Sequence, residues 1–138
     1  MRFTLTGILF SFAASCTSAQ AAQSNTTFDG LTPLELVSTC AGLSVALIST
    51  AGSDADLVED HVARFATLSR GTMDLSERGE DPQERISATQ ALINDAAKQH
   101  QMRIDTQDPA LKIDIRACEA LAEALEDNPD LLQASDQT

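Results

Sequence analysis

Apolar residues return every three or four positions in four stretches of this chain, separated by short polar segments rich in Asp, Gly, Ser and Pro. That period marks helices that each bury one face. The first stretch opens with "TPLE". Thr32 can cap, Pro33 suits the first helical position, and Glu35 can reach back to close a capping box. Leu36, Cys40, Leu43 and Leu47, flanked by Val37, Ala41 and Ile48, form its stripe. The pattern predicts a helix from Pro33 to about Ala51, stopped by Gly52.

The second stretch begins after Ser53, with Asp54 and Asp56 where the helix dipole favours negative charge. Val58, His61, Val62, Phe65 and Leu68 make its stripe, and Thr72 and Leu75 keep the spacing. The helix is therefore predicted to pass through Gly71, at a cost of about 1 kcal/mol, and to reach Arg78 before Gly79 stops it.

The third stretch starts like the first. In "DPQE", Asp81 caps, Pro82 takes the first position and Glu84 lies three beyond the cap. Ile86, Thr89, Ile93, Ala96, Ala97, His100 and Ile104 carry its apolar face to about Ile104. The fourth follows "QDPA", with Asp108 as cap and Pro109 first, and its stripe is Leu111, Ile115, Cys118, Leu121, Ala122 and Leu125. It should end near Asp127, before Pro129.

No Val/Ile/Thr/aromatic run alternates with period two long enough to make a strand. "LKIDI" at 111–115 does so briefly, but Pro109 and the helical stripe override it. Four helices with short connections predict an all-α protein, a small antiparallel four-helix bundle over residues 32–128. Residues 22–31 are polar and read as disordered, and residues 129–138 read as a fraying tail despite Leu131 and Leu132.

The chain's first 21 residues change the picture. Arg2 precedes an apolar run from Phe3 to Ala14, and Ala19-Gln20-Ala21 supplies the A-x-A pattern of a signal peptide. Cleavage is predicted after Ala21, leaving 117 of the 138 residues, enough for one domain. The run falls short of the roughly 20 apolar residues that span a bilayer. "AASC" allows lipidation of Cys16 as an alternative, though Ala13 stands where such boxes usually carry Leu. An abundance of Ala and an excess of Arg over Lys point to a GC-rich bacterium, and so to the periplasm. In that setting the glycosylation sequon at Asn25-Thr26-Thr27 carries no meaning.

Charge sets the partners. Loss of Arg2 with the leader takes the formal net charge from −12 to −13, a field that repels nucleic acid and anionic lipid. Only Phe28 and Phe65 remain as aromatics, so base stacking and aromatic ligand cages lack their material. The acidity reads first as a solvated surface and second as a match for a basic partner protein.

Candidate chemistry is sparse. Cys40 and Cys118 each sit inside an apolar stripe, and two cysteines in an exported chain predict one disulfide between the first and fourth helices. A redox or metal role is the alternative, without a CxxC motif to support it. Neither His61 nor His100 has Asp, Glu or His three or four residues away, which removes the usual single-helix metal pair. If the second helix reached Arg78, the two histidines would lie level across the hairpin, and a shared metal or haem is the minority reading of that arrangement. Met73 and Met102 do not fall clearly on the same stripes, and no CxxCH motif offers haem attachment. Glu119, Glu123 and Glu126 form an acidic ridge beside the fourth stripe, read as a solvated face. GxSxG, HExxH and glycine-rich phosphate loops do not occur in the sequence.

Together these features predict a non-enzymatic, exported, acidic helical protein that acts by binding another protein in the cell envelope. Inhibitor, immunity, adaptor and accessory roles all fit. A periplasmic chaperone-like stress protein is the second reading, and a metal or haem carrier the third.

Overall fold

Thr32 sets where the first helix begins. The computed structural model describes residues 28–76 and 81–136, and in it the Glu35 amide donates to Thr32 Oγ1 at 3.2 Å. The Thr32 amide donates to Glu35 Oε2 at 2.8 Å, so the capping box is complete. Helix α1 runs Pro33–Thr50, and Gly52, at φ +63°, supplies the left-handed turn beyond it. The predicted leader with its expected cleavage site, Cys16 and the Asn25 sequon lie outside the described residues.

Helix α2, Ala55–Leu75, is capped by Asp54, whose Oδ1 accepts from the Leu57 amide at 3.2 Å. It passes through Gly71 as predicted but ends three residues before Arg78. Ser76 explains the early end. Its hydroxyl donates to the Met73 carbonyl at 3.0 Å and lies 2.9 Å from Thr89 Oγ1. A serine bonded back to its own helix and across to the next no longer favours continuing. Gly79, the predicted stop, lies outside the described residues.

Helix α3 spans Pro82–Asp105, one residue beyond Ile104, with Asp81 accepting from the Gln83 amide at 2.9 Å. Gln107, at φ 55°, turns the chain towards α4. Helix α4 spans Leu111–Asp127 and so begins two residues after the predicted Pro109. Asp108 does not cap the helix itself. Its Oδ1 accepts from the Ala110 amide at 2.9 Å and its Oδ2 from Arg103 Nε at 2.7 Å, which forms a turn ahead of the helix. The tail also differs from the expectation of fraying: Leu131–Asp136 forms a short helix, α5, and Leu132 is buried in the core. An apolar side chain that finds a dry seat offsets the cost of ordering one more turn.

The described residues are all-helical, and α1 occupies the centre. Helices α2 and α3 pack along α1, α4 lies against α2 and α1, and α5 touches α1 and α2. Val37, Cys40, Ala41 and Leu43 of α1 are essentially inaccessible, and Leu68, Ile93, Cys118, Ala122, Leu125 and Leu132 close around them. Val37, near the start of α1, faces Gly71, near the end of α2, so those two helices are antiparallel. Arg64 meets Glu119 and Thr67 meets Glu126, so α2 and α4 run the same way, as alternate helices of an up-and-down bundle do.

Helix α1 is also the one described helix long and apolar enough to cross a membrane, with a mean hydropathy of 1.4. Its composition has another explanation, because it is the buried centre of the bundle. The hydroxyls it buries are satisfied locally, as when Ser44 Oγ donates to the Cys40 carbonyl at 3.2 Å. Cys40 and Cys118 are bonded to each other with Cα atoms 5.3 Å apart, tying α1 to α4 as the sequence predicts.

Candidate functional site

Two acidic side chains of helix α4, Asp114 and Glu119, each meet an arginine of a neighbouring helix. Arg103 Nη2, at the end of α3, lies 2.6 Å from Asp114 Oδ2. Arg64 Nη2, in the middle of α2, lies 3.4 Å from Glu119 Oε1. The two attachments differ in worth. The Asp114 side chain is 1% exposed and the Glu119 side chain 41%. A buried carboxylate depends on its partner, whereas a half-exposed pair contributes little. Arg103 also holds Asp108 through Nε, so one guanidinium joins the end of α3, the turn after it and the start of α4.

The histidines stand behind these arginines. His61 Nδ1 lies 3.1 Å from Arg64 Nη1, and His100 Nδ1 lies 3.4 Å from Arg103 Nη1. Both residues are buried, at 7% and 3% exposure. Burial holds the His61 ring below the usual histidine range, with the Arg64 guanidinium adding to the effect and Asp60 and Glu119 opposing it. Burial does the same for His100, reinforced by Arg103 and opposed by Asp114 and by a hydrogen bond to the Thr39 backbone of α1. Asp108 is also held below its usual range, but by its bonds to Arg103 and to the Ala110 amide, which favour the charged carboxylate.

These surroundings bear on the shared metal or haem reading of His61 and His100. The level register rests on α2 reaching Arg78, and α2 ends at Leu75. Each ring instead faces the arginine of its own helix, so a metal ion bound at Nδ1 would sit beside an existing cation. Among the described residues no group of three or more His, Cys, Asp or Glu is arranged to hold a metal ion. Cys40 and Cys118, taken up in the disulfide, are not available as thiolates.

The acidic ridge of α4 borders a groove. Asp60, Ala63 and Arg64 of α2 face Glu119, Ala122, Glu123 and Glu126 of α4 across an open volume of about 260 Å³. A smaller hollow of about 180 Å³ continues it past Thr67, Arg70, Gly71 and Asp74 towards Leu125 and Pro129. Chemically the groove offers anionic acceptors on a floor of small apolar side chains, with Arg64 among them. Glu119, Glu123 and Glu126 are legible in the sequence as a ridge, but their opposition to Asp60 is a product of packing. The roles of Arg64, Arg103 and Asp114 were not read from the sequence. The signals were there in the repeated His-x-x-Arg spacing at 61–64 and 100–103, and in the position of Asp114 one turn before Cys118.

No protein-family model, curated protein or solved structure matches this chain.

Proposed function

We propose that the protein is an exported binding protein of the cell envelope, of inhibitor, immunity, adaptor or accessory type, which acts by docking a basic protein partner rather than by catalysis. The observation that carries this reading is the groove between α2 and α4. Four carboxylates, Asp60, Glu119, Glu123 and Glu126, line it against a single cation, Arg64. The chain as a whole carries 21 acidic and 9 basic residues, so its field steers cations towards the groove over some distance. A disulfide-braced bundle is also a rigid platform, and rigidity lowers the entropy cost of association.

Crosslinking in intact envelope followed by capture of the oxidised protein tests the reading. The expected result is one stoichiometric, basic partner whose capture weakens with rising salt and is lost in a Glu119→Lys/Glu123→Lys variant. Many substoichiometric clients would favour the chaperone-like reading instead. A partner captured equally well by the charge-reversed variant would remove the groove from the interface.

A further inference from the structure

Two copies of one local pattern meet α4, one on α2 and one on α3. His61 to Arg64 on α2 and His100 to Arg103 on α3 both read His-x-x-Arg, which sets ring and guanidinium on one helix face a turn apart. In each pair the histidine Nδ1 faces an arginine Nη1, at 3.1 Å and 3.4 Å. A guanidinium has only donors, so each Nδ1 accepts, and each ring is neutral with its proton on Nε2. The same arginine then extends Nη2 to α4, to Glu119 in one pair and to Asp114 in the other. Each arginine thus stands between a buried histidine and an α4 carboxylate, and the two carboxylates flank the bonded Cys118 in sequence.

We propose that these two pairs form an acid-operated latch on α4. Protonating His61 and His100 turns each ring from an acceptor for its arginine into a second cation against it. Both arginine–carboxylate attachments weaken, and α4 comes away from α2 and α3 while the Cys40–Cys118 bond keeps it tethered to α1.

The neighbouring charges decide whether protonation strains the fold or is absorbed by it. His61 faces Arg64 and Asp60 of its own helix and Glu119 of α4. His100 faces Arg103 of its own helix, Asp114 of α4 and the Thr39 backbone of α1, whose other contribution is uncharged. The only charged residue of α1 is Glu35, exposed in its first turn. The carboxylates and the Thr39 carbonyl favour the charged ring, while burial and the arginines oppose it. The opposition prevails at both sites, so both rings stay neutral further into the acid range than a free histidine. Protonation therefore favours the arrangement in which the rings are no longer buried. Opening would bare the apolar stripe of α4, including Ile115, Leu121 and Leu125, together with Leu68 and Val37 beneath it. The latch does not depend on which partner the neutral form binds.

Hydrogen exchange of the oxidised full chain tests this. Between roughly pH 7.5 and roughly pH 5, where histidine changes charge, protection of α4 amides should fall about tenfold or more after correction for intrinsic rates. Protection of α1 should persist. A His61→Gln/His100→Gln variant keeps an acceptor for each arginine but cannot take a proton, and its α4 should stay protected at both ends of that range. An unchanged pH dependence in that variant would overturn the latch. Should the variant fail to fold, proton NMR titration of the natural chain decides: α4 opening must track the two ring midpoints. Midpoints at or above the ordinary value of about 6.5, or opening that begins only near the carboxylate range, would also overturn it.

Discussion

Gly42 sits so tightly against Ala96 that a Cβ built on it would lie 2.5 Å from the Ala96 Cβ. The backbone is as close, with Ala97 N at 2.7 Å and the Ala96 carbonyl carbon at 2.8 Å. Helices α1 and α3 therefore cross at a point where only glycine fits. In an isolated helix Gly42→Ala would stabilise by about 1 kcal/mol. Here overpacking against backbone, typically about 1–3 kcal/mol, is the larger effect, and the substitution should lower the urea midpoint. Gly71→Ala provides the contrast, since its Cβ would meet only the side-chain atoms Val37 Cγ2 at 3.2 Å and Leu125 Cδ1 at 3.5 Å. A small shift of those methyls accommodates it, and the change in stability should stay below about 1 kcal/mol.

Reduction of the Cys40–Cys118 bond should be costly. The bond spans 78 residues of sequence, and in the chain-entropy picture a loop of that size stabilises by roughly 4–5 kcal/mol. For a domain near 100 residues this corresponds to a loss of roughly 15–25 °C in Tm. Calorimetry with and without a phosphine reductant measures it. A Cys40→Ser/Cys118→Ser variant that melts with the oxidised protein would show that the bond contributes nothing.

Arg103 and Arg64 make similar-looking ion pairs of unequal worth. Removing Arg103 leaves Asp114, 1% exposed, without the guanidinium that meets it at 2.6 Å. Arg103→Met should destabilise by about 3–5 kcal/mol, and adding Asp114→Asn should recover part of that loss. Arg64→Met faces a carboxylate that is 41% exposed and should cost at most about 1 kcal/mol. Equal urea midpoints for the two single variants would contradict this account of burial.

Stability should fall on mild acidification. The folded state holds both histidines below their ordinary value, so the unfolded chain binds more protons once the pH drops below about 6.5. The contribution is complete above that value and is lost as the pH falls from it towards the folded-state values. Asp108 adds a second, lower step: its depressed carboxyl stabilises above the ordinary aspartate value of 3.8 and that stability is lost below it. Urea titrations at closely spaced pH should show both steps, and His61→Gln/His100→Gln should remove only the upper one.

The N-terminal pattern makes a prediction of its own. Exported protein should begin at Ala22 and carry no lipid. Intact mass spectrometry decides between this and a chain that starts at a diacylglyceryl Cys16.

What the sequence determines here is what acts over one or two helical turns. Thr32-Pro33-x-Glu35 and Asp81-Pro82 place the starts of α1 and α3 because a cap bonds amides two or three residues away. The 3.6-residue recurrence of Leu36, Cys40, Leu43 and Leu47 makes α1 a helix, and the same recurrence around Cys118 points that cysteine inward. With two cysteines facing the core, their pairing followed. The tertiary structure decides what depends on residues far apart in the chain. Ser76 ends α2 because Thr89 bonds it, Asp108 turns the chain because Arg103 holds it, and Leu132 orders the tail because the core has a seat for it. Asp114 shows the difference most plainly. In sequence it is one of 21 acidic residues and reads as solvated, yet packing buries it against a guanidinium from another helix. Periodicity reports only that a position lies at the edge of a stripe, and whether a charge there meets water or an opposite charge is set by the helix packed beside it.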